Sequence, residues 1–121
     1  MPKRILLVDD NATILKLGEM ILKRSGYEVE LAVDGVDAVE KFTEAEPPFD
    51  AVILDLTMPR MSGTEAFEKI RVIDPKIKVI LSSGYDEMDA VTQLQSEGVG
   101  FIQKPYRPQE FTAKLEEVLN F

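Results

Sequence analysis

Five times along this chain, a short apolar run of the kind that forms a buried strand is followed by a segment whose apolar residues recur at helical spacing. That alternation constrains the fold more than any other feature. Strands joined through helices run parallel, with right-handed crossovers and helices on both faces of the sheet. The first unit pairs Arg4 to Val8 (RILLV) with a helix over Ala12 to Arg24, where Ile14, Leu17 and Ile21 carry the period, Lys23 and Arg24 occupy the last turn, and Gly26 lies beyond. Tyr27, Val29 and Leu31 alternate with Glu28 and Glu30, so the second strand has one less buried face, as near a sheet edge. Val36, Val39 and Phe42 mark the second helix, which Pro47 and Pro48 prevent from continuing. Ala51 to Leu54 is the third strand, and Ala66, Phe67 and Ile70 give the third helix, closed by Asp74 and Pro75. Lys78 to Leu81 is the fourth strand. Met88, Val91 and Leu94 form only a thin apolar stripe on an otherwise polar fourth helix, which predicts a loosely held element. Phe101 and Ile102 make a short fifth strand, and Pro108 opens a last helix with Phe111, Leu115, Val118 and Leu119 on one face.

The expected architecture is therefore α/β: a flavodoxin-like (βα)5, doubly wound parallel sheet of order 2-1-3-4-5, whose switch point lies between strands 1 and 3. At 121 residues the chain has the length of one domain and no stretch is left over for a linker or repeat. Composition narrows the chemistry. Neither Cys nor His is present, so disulfides, thiolate chemistry and the usual general base and metal ligand are excluded. A net charge of -8 argues against direct nucleic-acid binding, which needs a basic footprint. No apolar run approaches membrane-span length, and the start MPKRILLVDD is interrupted by acids too early for a signal peptide, so a cytoplasmic setting without membrane contact is expected.

The organising stretch is Phe49 to Gly63, FDAVILDLTMPRMSG. Its strand ends in Asp55, and Pro59, Ser62 and Gly63 then impose a loop. In an open α/β sheet, groups at the carboxyl ends of strands face the ligand crevice. Asp9 and Asp10 follow strand 1, Asp55 follows strand 3, Ser82 follows strand 4 and Lys104 follows strand 5, so the topology gathers all of them at one edge. Three carboxylates in one crevice repel one another, and a divalent cation with hard oxygen ligands relieves this most simply. Mg²⁺ suits, because it keeps several waters and accepts a few carboxylates plus a phosphoryl oxygen. A carboxylate beside such an ion can attack phosphorus and form an aspartyl phosphate. Lys104 would pair with one oxygen of the transferred group and the Ser82 hydroxyl would donate to another.

These residues resemble the receiver domain of two-component response regulators, over the whole chain: the acidic pair in LLVDDN, the segment VILDLTMPRMSG, the hydroxyl in VILSSGY and the Lys-Pro pair in FIQKPY. Each motif is weak alone, while their order and spacing together are highly specific. The resemblance implies a single receiver domain over residues 1–121, with Asp55 as the phosphorylated residue. It implies that Asp10, Asp55 and the backbone carbonyl of Thr57 bind Mg²⁺, with Asp9 supporting the ion from behind. Ser82 and Phe101 match the family's switch hydroxyl and switch aromatic, Lys104 its lysine, and Lys104 to Pro105 its cis peptide bond. The implied function is a phosphoacceptor switch, not a turnover enzyme. A histidine kinase or histidine phosphotransfer protein donates the phosphoryl group, and the face made by the fourth helix, fifth strand and last helix is read by a downstream protein, with homodimerisation through that face known in many members. Thr57 and Gly84 fall where the family varies and tunes phosphoryl lifetime, and Arg107 stands where Ser or Thr often caps the last helix. The SSGY form of the fourth-strand motif is similar to receivers attached to hybrid histidine kinases, so both a stand-alone regulator and a receiver belonging to a hybrid kinase or a transcription regulator fit.

Taken one at a time, the same residues have plainer readings. Asp55 alone reads as a turn or cap residue, Lys104 as a solvated lysine, Ser82 and Ser83 as groups satisfying a strand end, and Phe101 as core packing. Met58 and Met61 read as gap-filling loop residues. Two other classes compete. An aspartate-nucleophile phosphatase of the haloacid dehalogenase type resembles DxDx[TV], but position 57 is Thr, so the acid that drives turnover is missing. A flavodoxin needs a loop after strand 1 that welcomes phosphate, and Asp9 and Asp10 repel an anion there.

Overall fold

In the computed structural model the described residues are 3–45, 48–55, 63–83, 99–103 and 107–119. Five strands, β1 (Arg4–Val8), β2 (Glu28–Ala32), β3 (Ala51–Asp55), β4 (Lys78–Ser83) and β5 (Val99–Gln103), form one parallel sheet of order β2-β1-β3-β4-β5. This is the flavodoxin-like order expected from the alternation. Helices α1 (Ala12–Arg24), α2 (Gly35–Glu44) and α3 (Gly63–Ile73) and the C-terminal helix (Pro108–Leu119) cover its two faces. The helix expected around Met88, Val91 and Leu94 lies outside the described residues. Among the described residues, no helix is long and apolar enough to cross a membrane.

Strand alternation divides the core in two. Leu6, Val8, Val52, Leu54, Val79 and Leu81 pack against α2 and α3 through Ala38, Phe42, Ala66, Phe67 and Ile70. The intervening residues Ile5, Leu7, Ala51, Ile53, Ile80 and Ile102 pack against α1 and the C-terminal helix through Leu15, Leu22, Phe111, Leu115 and Val118. Because both faces are covered, the inner strands read as continuous apolar runs. The half-buried Val29 and Leu31 on β2 agree with an edge position.

The helix faces are wider than a single-residue period suggests. On α1 the buried residues are Leu15, Gly18, Ile21 and Leu22, while Ile14 and Leu17 are only half-buried, because the helix packs on the sheet side by side with the C-terminal helix. Its stop matches the sequence reading: Gly26 adopts φ 90°, a left-handed conformation that suits glycine after a helix end. At Gly100 a β-carbon would come within 2.8 Å of Val118 Cγ2, so glycine allows β5 to lie directly beneath the C-terminal helix.

The last three strands outrun their expected limits. β3 ends at Asp55, β4 at Ser83, and β5 runs from Val99 to Gln103, so Asp55 and Ser82 are paired members of the ladder instead of residues beyond it. The apolar runs mark only where the strands are buried, whereas the ladder hydrogen bonds carry on into the polar residues at their ends.

Candidate functional site

The register brings the polar ends together. Val8 pairs with Leu54, Leu54 with Leu81, Asp55 with Ser82 and Ser82 with Ile102. Asp9, one residue past β1, is thus level with Asp55. Within the strands, Asp55 and Ser82 continue the alternation of Ile53 and Ile80, which places them on the side of the sheet covered by α1 and the C-terminal helix. Asp9, Asp55 and Ser82 are all buried, and Asp10 is exposed.

Local structure fixes the acidic pair. Asn11 is the N-cap of α1: its side-chain oxygen accepts hydrogen bonds from the Thr13 and Ile14 backbone N–H groups at 2.9 and 3.2 Å. Its own N–H donates to Asp9 Oδ1 at 2.9 Å, and the Asp9 N–H donates to the Ala32 carbonyl at 3.1 Å. The chain is therefore held at the exit of β1 by β2 on one side and by the first turn of α1 on the other. In the sequence Asn11 carries only a helix-start signal, an Asn immediately before a periodic apolar segment, and nothing that marks it as part of the site. A comparable cap serves α2, where the buried Asp34 accepts from the Asp37 N–H at 2.7 Å.

One carboxylate oxygen from each of Asp9, Asp10 and Asp55 lies within 4.8 Å of the others. Two like unit charges about 4 Å apart repel by about 4 kcal/mol even at an effective dielectric constant of about 20. With two of the three buried, the cluster favours a bound cation. The donor set fits Mg²⁺. This ion binds hard oxygens at about 2.0–2.1 Å in an octahedron, so its ligand oxygens are separated by about 3–4 Å, close to the spread found here. The open side at Asp10 leaves room for water and a phosphoryl oxygen.

Of the other residues singled out from the sequence, Phe101 lies in β5 with its backbone paired to Leu81, and its side chain is outside the described residues. Lys104, Pro105 and the Thr57 carbonyl are also outside them. Gln103, the last residue of β5 and the one before Lys104 in sequence, lies on the strand next to the one bearing Ser82.

A parallel doubly wound sheet with a buried carboxylate at the switch-point strand, and an acidic cluster beside it, defines a class: α/β domains that bring a cation and an anionic group to the carboxyl edge of the sheet. Comparison with known proteins makes the class specific. The family model for the response regulator receiver domain matches residues 5–116, and the chain belongs to that family. It is 38% identical over 120 residues to the chemotaxis protein CheY of Thermotoga maritima, covering 98% of each chain. Among solved structures it is similar to a CheY-like receiver domain protein from Methanospirillum hungatei, with a TM-score of 0.90, 34% identity and coverage of 99% and 95% of the two chains. It is also similar to a chain of a CheX-CheY-BeF3-Mg²⁺ complex from Borrelia burgdorferi, with a TM-score of 0.91, 30% identity and coverage of 98% and 90%. The protein is a receiver domain of two-component signalling, a family of phosphoacceptor switches that bind Mg²⁺ in an acidic pocket.

Proposed function

We propose that Asp55 is the phosphoacceptor of this receiver and that a histidine kinase or a histidine phosphotransfer protein supplies the phosphoryl group. The observation that carries this reading is the buried Asp55 carboxylate, at the end of a central strand and within 4.8 Å of those of Asp9 and Asp10. A carboxylate oxygen of Asp55 attacks phosphorus in line with the bond to the donor's imidazole nitrogen. The P–N bond breaks as the P–O bond forms, and the departing imidazole takes up a proton from water. When bound, Mg²⁺ neutralises charge on the transferred oxygens and on the acids around them.

Asp10, Asp55 and the Thr57 carbonyl would hold the ion, and Asp9, whose Oδ1 accepts from the Asn11 N–H, would support it. Ser82, level with Asp55 on the neighbouring strand, donates its hydroxyl to a phosphoryl oxygen, and Lys104 pairs with another. Phe101 follows Ser82 inward. The added charge biases a two-state equilibrium in the face formed by residues 88–94, β5 and the C-terminal helix, which a downstream protein or a second copy reads. Residues 1–121 act as one receiver domain, in the cytoplasm.

The test is intact mass after incubation with acetyl phosphate, with and without Mg²⁺, for the native chain and Asp55→Asn. One added phosphoryl group that requires both Mg²⁺ and Asp55 supports the reading. An adduct that persists in Asp55→Asn, or no adduct although Mg²⁺ binds, refutes it.

A further inference from the structure

β2 is an edge strand, and the direction of its free hydrogen-bonding groups can be read from its partners. The Glu28 N–H donates to the Lys3 carbonyl and the Ala32 carbonyl accepts from the Asp9 N–H, so residues 28, 30 and 32 turn their backbone groups toward β1. Alternation turns those of 29, 31 and 33 outward, where an added strand would bind. Strands related by a two-fold axis run antiparallel, and in an antiparallel ladder an outward carbonyl accepts an N–H of the incoming strand while the outward N–H two residues on donates to one of its carbonyls. On this edge that pair is the Leu31 carbonyl and the Val33 N–H.

Both groups are occupied by side chains of α2. Lys41 Nζ donates to the Leu31 carbonyl, Asp37 Oδ2 accepts from the Val33 N–H at 3.1 Å, and Lys41 and Asp37 pair with each other at 3.4 Å. Ammonium and carboxylate thus stand where the N–H and C=O of a sixth strand would be. An exposed ion pair at helical spacing contributes little to stability by itself. This one is half-buried and directed at backbone atoms, an arrangement that a solvated surface pair lacks.

We propose that Asp37 and Lys41 close the open edge of the sheet against a second copy of this chain. Two β2 edges related by a two-fold axis are self-complementary in their N–H and C=O groups, and identical chains are always present at matching concentration. The device is separate from the acidic site and from the phosphoryl chemistry.

Sedimentation velocity over a concentration series tests it, using the native chain, Lys41→Met, Lys41→Arg and Lys16→Met. Lys16 is an exposed residue of α1, so Lys16→Met makes the same change in net charge away from the edge. Backbone hydrogen exchange at Val29 and Leu31, whose N–H groups point outward, identifies the surface used. The expected result is self-association at least tenfold tighter for Lys41→Met than for Lys16→Met, with slowed exchange at Val29 and Leu31 at high concentration, and native behaviour in Lys41→Arg. Equal association in the two methionine variants overturns the proposal, as does association that leaves exchange at Val29 and Leu31 unchanged.

Discussion

The two ends of the sheet handle charge in opposite ways. At the amino end, Arg4 opens β1 opposite Glu28 and meets opposite charge on every side. Its guanidinium lies 3.7 Å from Glu28 and 3.5 Å from Glu30 and sits 4.8 Å from the centre of the Phe49 ring, while its backbone N–H donates to Asp50. At the carboxyl end, Asp9, Asp10 and Asp55 bring like charge together, two of them buried. Compensated charge at one end adds modestly to stability and asks nothing of the solvent. Like charge gathered at the other creates affinity for a cation and for the group it carries. A like-signed, partly buried cluster at one end and a self-satisfied one at the other separate site from scaffold in this chain.

The contrast can be broken experimentally. The largest effect is expected on cation binding: Asp10→Asn should weaken Mg²⁺ binding by about 10- to 100-fold in calorimetric titration, as loss of a metal-site partner does, whereas Arg4→Met leaves it unchanged. The next is a gain in stability. Without divalent ions, Asp55→Asn removes one of three mutually repelling charges and should raise the fold's stability by about 1 kcal/mol or more, read as a melting temperature about 4 °C higher. Added Mg²⁺ should shrink that advantage, because it stabilises the native chain more than the variant.

At the amino end the sign reverses. Arg4→Met should cost about 1 kcal/mol in urea unfolding, since partly exposed ion pairs and a cation–π contact each contribute about that much or less, and the loss should shrink at high salt.

The smallest effect concerns the half-buried Tyr27, between β2 and the C-terminal helix. Burial, and then the nearby Glu116 charge, raise its phenol above the ordinary value. Because the folded form holds its proton more tightly than the unfolded chain, Tyr27 leaves stability untouched below pH about 10 and lowers it as pH rises beyond. Tyr27→Phe should flatten the fall in melting temperature above that pH, and Glu116→Gln should flatten it less.

Most of the scaffold is legible in the sequence because its causes are local. RILLV and AVIL are too apolar for anything but buried strands, the limits of α1 follow from its basic last turn and Gly26, and the alternation of Val29 and Leu31 with glutamates marks β2 as an edge. The sheet order then gathers Asp9, Asp10, Asp55 and Ser82 without any long-range information beyond chain topology. What local pattern does not reveal is how side chains are spent on the backbone. Nothing in the spacing of Asn11 announces that its N–H fixes the Asp9 carboxylate, and Lys41 reads as an ordinary i,i+4 partner of Asp37 until β2 is placed beside α2. Strand ends are hidden from the sequence for a related reason: at Ser82 and Ser83 the ladder continues after hydrophobicity stops.

The most direct test of the whole account is to trap the phosphorylated protein with borohydride, which reduces an acyl phosphate to an alcohol and so converts the modified aspartate to homoserine, and to locate the change by fragment mass. The account predicts homoserine at position 55 alone, and only after reaction in the presence of Mg²⁺. Homoserine at position 9 or 10, or its formation at position 55 without any divalent ion, would contradict it.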